Sequence, residues 1–476
     1  MRNPSFTGPD LCAKPAREVV RLLRCGEVSP SELIEASEAR VARTGPVINA
    51  MVTSCFGRAR ERADRLPATD APGALHGLPI GIKDLSAVEG VRTTMGTMGL
   101  AQNVPTESDP IVDILEARGA LVVGKTNTPE MGAGGNTFNA VFGATRNPWD
   151  TRRNAGGSSG GAAASLATGE TWLSQGSDLA GSLRTPAAYC RVVGLRPSPG
   201  RAFGGPLTLG FSAEGISGPM ARDVRDCALF LDAMCGYDGR APLSLPAPRT
   251  PFQEGLERDP SQIRIAYAPT LGGFAPVEDE IERVMRRSLE GLAREGATVE
   301  EACPLLDGLE RTYVTLRALT WKALPGRAPD AISRHYKKTL ADNIAVADGL
   351  TVDDIVDANL TRTRLYHEMR RFLSQRDVLA CAVVGLEPGP VEEEFPTSVA
   401  GRPTPDYIDW LRFSFLATTA GLPAISVPCG FTASGMPVGI QLIGGPRADR
   451  TVLRVALALE TAMGLGAAPI DPVEPR

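Results

Sequence analysis

Residues 132–161 are rich in glycine and asparagine, and they give way abruptly to a small, apolar run over 162–169. A loop of that length inside a compact domain is usually functional. The apolar run after it suits a tightly packed helix. The loop closes on Gly156-Gly157-Ser158-Ser159-Gly160-Gly161. Paired glycines around two serines permit backbone angles closed to other residues. A flexible Gly/Ser linker has the same letters, but the core-like residues from Ala162 onward argue against one. A phosphate-binding P-loop is excluded, because no G-K-[ST] follows. The pattern G-x-S-x-G is met with either Ser158 or Ser159 at its centre. A nucleophile elbow of that kind needs a hydrophobic strand just before it, and residues 149–154 do not make one.

Two further segments carry chemistry. Gly77-Leu78-Pro79-Ile80-Gly81-Ile82-Lys83-Asp84 places Leu78, Ile80 and Ile82 on one strand face and Pro79, Gly81 and Lys83 on the other. The small neighbours leave space beside Lys83. Burial there would depress its pKa from ~10.4 and make it a usable base. A lysine snorkelling at a strand end fits the segment alone equally well. The other segment runs from Gly176 to Ser182 and on to Pro186. A serine after Ala180-Gly181, at the entrance of a helix, has backbone N–H groups near it that can hold an oxyanion. A plain helix N-cap would look the same.

Composition narrows the proton carriers. There are six lysines, so 44 of the 50 basic residues are arginine, and the histidines are His76, His335 and His367 alone. Lys125 is a rival base after its own apolar strand, although Thr126-Asn127 beside it suggests a hydrogen-bonded scaffold. His76 reads as a loop residue. No C-x-x-C, H-E-x-x-H or Cys/His cluster appears among the nine cysteines, so neither metal nor cofactor is expected. A net charge of -5 argues against nucleic acid as the main partner. No run of 18 apolar residues exists, so no membrane partner is expected. Residues 1–20 lack the apolar stretch of a signal peptide, and no further domain is expected past Arg476. Reduced thiols in a cytoplasmic protein follow.

The pattern of elements is mixed α/β. Helices are expected over 16–24 and from Ser29-Pro30-Ser31-Glu32, a capping box that directs Leu33, Ala36 and Val41 to a core. Further helices are expected over 111–119, 223–235, 277–295 and 452–463. Strands are expected over 75–84, 120–124, 171–175, 263–268, 297–301, 378–384 and 424–427. Residues 312–376 read as mostly helical. The expected architecture is a large central mixed sheet with helices on both faces. N-terminal helices (1–65) pack on a single catalytic domain (66–470).

Taken together, the three segments resemble the amidase signature family of serine hydrolases. The blocks G-x-P-[IL]-G-I-K-D, G-K-T-N, G-G-S-S-G-G and G-S-D-x-x-G-S-[IL]-R-x-P-A occur in that order, and the resemblance covers about residues 30–467. It continues through Ile216-Ser217-Gly218-Pro219-Met220, Gly421-Leu422-Pro423-Ala424 and Pro437-Val438-Gly439-Ile440-Gln441. The family's catalytic lysine falls on Lys83, its cis-peptide serine on Ser158 and its nucleophile on Ser182. The resemblance implies a Ser-Ser-Lys relay and an acyl-enzyme on Ser182. The oxyanion would rest on the N–H groups of Leu179, Ala180 and Gly181. Met131, Gly132, Ala133 and Gly134 would wall the substrate cleft, and Ser159, Asp178 and Arg184 would brace the loops. Many members carry Asp-Thr-Gly-Gly-Ser where this chain has Asp178-Leu179-Ala180-Gly181-Ser182, and Leu179 hints at a non-polar substrate.

The expected activity is hydrolysis of a small amide, with carbamates and esters open to the same route. The alternative is a glutaminase of the amidotransferase A type, working with partner subunits. For the amidase, a monomer or homodimer is expected. Specificity is expected in 312–376 and 381–407, where Tyr313, Trp321, Tyr336 and Tyr366 either line a cleft or pack.

Overall fold

The computed structural model describes residues 4–66, 71, 73–203 and 207–474. Eleven strands form one central sheet. In chain order they are β1 (Met51–Ser54), β2 (Pro79–Lys83), β3 (Leu121–Thr126), β4 (Leu173–Asp178), β5 (Val193–Arg196), β6 (Ile216–Ala221), β7 (Arg264–Tyr267), β8 (Thr298–Glu301), β9 (Val378–Ala382), β10 (Ala424–Phe431) and β11 (Pro437–Gly444). Across the sheet they lie β1-β3-β2-β4-β6-β5-β10-β11-β9-β7-β8. β2 runs parallel to both β3 and β4, while β6 is antiparallel to β4. The sheet is therefore mixed, as the sequence suggests. Every residue of β2, β3, β5, β6, β9 and β11 is buried. Burial on both faces is the usual outcome where helices cover a sheet on two sides.

The helices follow the sequence closely. Ser29 caps Pro30–Ile48, and the reciprocal bonds with Glu32 of a capping box are both present. Leu33 and Ala36 are buried, whereas Val41 is half-buried at the margin of a smaller cluster. Val224–Met234, Asp279–Arg294 and Asp449–Met463 lie where expected. The β-α-β unit of 263–301 is realised as β7 and β8 running parallel, with Asp279–Arg294 between them in the chain. The region 312–376 divides into Leu309–Ala323, Asp330–Ser333, Lys338–Ala345 and Val352–Phe372. Among the described residues, no helix is long and apolar enough to cross a membrane.

Two expectations shift in ways that matter to the site. The strand expected to stop at 175 continues to Asp178, because β6 pairs with it along its whole length from Ile216↔Asp178 to Ala221↔Leu173. The helix after the serine pair, Gly160–Ala167, starts two residues earlier than expected, and all eight of its residues are buried. Its glycines are there for close approach. A Cβ on Gly161 would stand 2.2 Å from the backbone nitrogen of Asn127. The small face of this helix thus lets the serine loop sink against the end of β3.

Candidate active site

Lys83 ends β2 and Ser177 stands one residue before the end of β4, on the neighbouring strand. The serine pair arrives from the opposite direction, on the turn between the Asp150–Asn154 strand and the helix Gly160–Ala167. These elements converge on one amine. Lys83 Nζ donates to Ser158 Oγ at 2.7 Å, to Ser159 Oγ at 2.9 Å and to Ser177 Oγ at 3.1 Å. Lys83 is fully buried, and no described carboxylate lies within ion-pair distance of it. Burial lowers its pKa to about 7, against a smaller opposing pull from the charge of Asp178. The side chain of Gln175 fixes the strand end, its Oε1 accepting from the Lys83 backbone N–H at 3.1 Å.

The Gly157–Ser158 peptide bond is cis. Ser159 locks the pair to the third segment: its N–H donates to the carbonyl of Ser182 at 3.1 Å, and its Oγ accepts from the Ser177 N–H at 3.3 Å. Ser182 follows β4 by a short loop and precedes the helix Arg184–Cys190. The hydroxyl of Ser182 hydrogen-bonds to no described residue. Gly181 takes a φ of +85°, which glycine adopts without strain. In that loop the N–H groups of Leu179, Ala180 and Ser182 have no acceptor among the described residues. The Gly181 N–H differs, because it donates to Asp178 Oδ1 at 3.1 Å.

Asp178 is the brace of the loop. Its carboxylate accepts from Arg184 Nε at 3.0 Å, Arg184 Nη2 at 2.8 Å and the Leu183 N–H at 3.1 Å. Burial works against its ionisation, but the adjacent Arg184 and Arg196 outweigh that and hold the carboxyl well below the usual carboxylate range. Arg184 reaches on to Gln441 of β11, and Arg196 donates to the Asp178 carbonyl at 2.7 Å. The loop is thereby tied to β5 and β11, two strands further along the sheet on one side of β4.

The segment at 131–134 lies beside the serines. A Cβ on Gly132 would stand 3.6 Å from Ser158 Oγ. Met131 takes a left-handed φ of 52°, Ala133 and Gly134 are buried, and Gly135 packs on the indole of Trp410. Leu179 is half-buried, with Cδ1 3.7 Å from where a Cβ on Gly215 would stand. Lys125 points elsewhere. Its Nζ donates to the Ser86 carbonyl and to Thr93 Oγ1 and lies 3.5 Å from Asp84. Its neighbour Asn127 bonds Thr145 and Asn139, which makes this corner a scaffold. His335 and His367 are exposed and His76 sits in a loop at φ 50°. Of the four aromatics, Tyr313 is buried and stacked on Phe415, Trp321 is buried, Tyr336 is half-buried, and Tyr366 is at the surface.

Sequence reasoning assigned no role to Ser177, Gln175, Arg196 or Gln441. Extending β4 to Asp178 would have brought the first two into view, since both lie on the strand beside Lys83 and hydrogen-bond to it. Arg196 and Gln441 meet the loop only through the sheet, and no local pattern announces them.

A family model described as Amidase matches residues 32–453. An acylamidase of Rhodococcus erythropolis is 36% identical over 461 residues, covering 94% of both chains. The A-type chain of the glutamyl-tRNA(Gln) amidotransferase of Thermosynechococcus vestitus is 33% identical, covering 93% of this chain and 97% of its own. Among solved structures, a bacterial aryl acylamidase of the amidase signature family superposes with a TM-score of 0.87 at 28% identity, covering 94% of this chain and 96% of that one.

Proposed function

The chain belongs to the amidase family and hydrolyses carbon–nitrogen bonds other than peptide bonds, and from that premise we propose that Ser182 is its nucleophile and that Ser158 and Lys83 carry the proton. The observation that supports this most directly is the 2.7 Å bond between Ser158 Oγ and the fully buried Lys83 Nζ. An amine brought down to about 7 is neutral in a large fraction of molecules at neutral pH, and its lone pair can accept a proton.

The proposed steps are these. Lys83 takes a proton from Ser158 as Ser158 takes one from Ser182. Ser182 Oγ attacks the amide carbonyl, and the oxyanion is met by the unused N–H groups of Leu179 and Ala180. The Gly181 N–H, held by Asp178, joins them only if that bond is released. The C–N bond breaks, the leaving amine receives its proton back through Ser158, and the acyl group stays on Ser182. Water, deprotonated along the same path, releases the acid and restores the serine. Carbamates and aryl esters would form their intermediates by the same attack. Gly132 beside Ser158, and Leu179 at the acyl side, favour a small, non-polar acyl group.

The single sheet supports reading residues 66–470 as one catalytic unit, with the N-terminal segment adding β1 to the sheet's edge beside its helices. Nine free cysteines support a reducing, cytoplasmic setting. The 33% identical amidotransferase chain keeps a glutaminase role in view. One panel tests the proposal: aliphatic amides, anilides, carbamates, aryl esters and glutamine, on wild type and Ser182→Ala. Amide turnover should fall by at least about a thousandfold in the variant. Undiminished turnover would overturn the role of Ser182, and glutamine as the sole substrate would move the chain to the amidotransferase class.

A further inference from the structure

The described residues form an open cavity of about 730 Å³ whose lining includes neither Lys83 nor any of the serines around it. It lies among the C-terminal segment 465–474, the strand Asp150–Asn154 and the turn joining β10 to β11. Trp149 and Phe431 line it, with ring centroids 5.1 Å apart. The guanidinium of Arg191 lies over both rings, at 5.5 Å and 5.4 Å.

Arg191 is held there by the backbone. It ends the helix Arg184–Cys190 in a left-handed conformation, and Nη2 donates to the carbonyls of Leu465 and Gly466. Its other nitrogens are unused: Nε is buried without a partner, and Nη1 donates to no described residue. No described carboxylate forms an ion pair with it. Burial pulls its pKa down, and the charge of Glu460 restores only part of that. Two acids line the same cavity: Asp150 is already taken, by Arg152 at 2.6 Å and Arg153 at 3.8 Å, and Glu474 is exposed near the end of the chain. Met436 and Ile470 supply apolar wall.

A cation lying over two rings, with donors to spare and apolar surface beside it, complements an anion that carries an apolar body. We propose that this cavity is a second ligand site for a small aromatic or alicyclic monocarboxylate. The carboxylate would sit on Arg191 and the ring would lie against Trp149 and Met436. The site shares no residue with the serine–lysine centre, so it stands or falls independently of the role of Ser182.

Fluorine NMR on the full chain, labelled with 5-fluorotryptophan, reads the site locally. The four indoles are Trp149, Trp172, Trp321 and Trp410, and Trp149→Phe assigns the relevant one. Titration with 2-naphthoate, to about 10 mM, should move the Trp149 resonance saturably and leave the other three in place. The neutral 2-naphthylmethanol and the cationic 2-naphthylmethylammonium should bind at least about tenfold more weakly. Arg191→Met should weaken naphthoate by a similar factor. No shift at Trp149, equal binding of the alcohol, or tighter binding of the ammonium would overturn the proposal. Should Arg191→Met not fold, the preference of the wild-type protein for carboxylate over alcohol still decides.

Discussion

Lys83 Nζ lies 2.7 Å from Ser158 Oγ, and the same amine reaches Ser159 at 2.9 Å and Ser177 at 3.1 Å. Three hydroxyls around one buried amine satisfy its donors without supplying a negative charge. Such a shell solvates an ammonium less well than water does, which is why burial dominates its proton affinity.

That balance sets a pH profile. Below about 7 the amine is protonated and cannot accept a proton; above it the base is free. For a neutral amide, kcat/KM should rise with pH up to about 7 and then level. Lys83→Met should lower kcat by about 10²–10⁴ and remove that ascending limb. A limb that survives in the variant would assign it to another group.

Asp178→Asn should destabilise the fold. The change leaves Arg184 and Arg196 buried without their shared counter-charge. Removing one partner of a buried pair costs about 3–5 kcal/mol. Denaturant titration reads this directly, and an unmoved midpoint would show that Gln441 and the backbone carbonyls suffice for the arginines.

Glu170 offers a test of stability against pH. It is fully buried, bonded by Thr44 Oγ1 at 2.6 Å, with Oε2 unpartnered. Burial raises its pKa from the ordinary 4.5 to about 7, despite Thr44 and Arg40. The folded protein therefore holds this proton more tightly than the unfolded chain. Stability from this group is complete below 4.5 and is lost as pH rises towards 7, by up to about 3 kcal/mol. Glu170→Gln should abolish that loss, so its advantage over wild type grows between pH 5 and pH 8. Parallel stability curves for the two proteins would contradict this.

Leu179→Ala should alter selectivity more than rate. Leu179 stands three residues before Ser182, and its side chain packs towards Gly215. Trimming it should lower kcat/KM for benzoyl or branched-acyl amides about tenfold relative to acetyl amides. Equal losses on both would place Leu179 outside the acyl pocket.

The chemistry-bearing residues were legible because each sits in an unusual local setting: one amine on a small-residue strand, two serines between paired glycines, one serine past a glycine at a helix entrance. β5 and β6 were not legible. Val193–Arg196 and Ile216–Ala221 carry glycine or proline in their interiors and lie buried on both faces, so no period-2 pattern marks them. Truncating β4 at 175 had the same origin: Gly176-Ser177-Asp178 is strand only because β6 pairs with it. The Gly181 N–H could not be foreseen either: Asp178 and Arg184 read as braces of the loop, but Asp178 is held also by Arg196, which reaches it only through the sheet.

The width of the sheet has a consequence for how the protein fails. Six strands stand between β4, which leads to the nucleophile loop, and the edge strand β8. β8 has only one neighbour, and none of its residues is buried. Its amides should exchange with solvent long before those of β4, and that flank should open and reclose as a separate foldon. Heating would then strip protection from one end of the molecule while turnover continues at the other. A melting curve followed by edge amides and one followed by activity would not coincide, and neither alone would define a single transition.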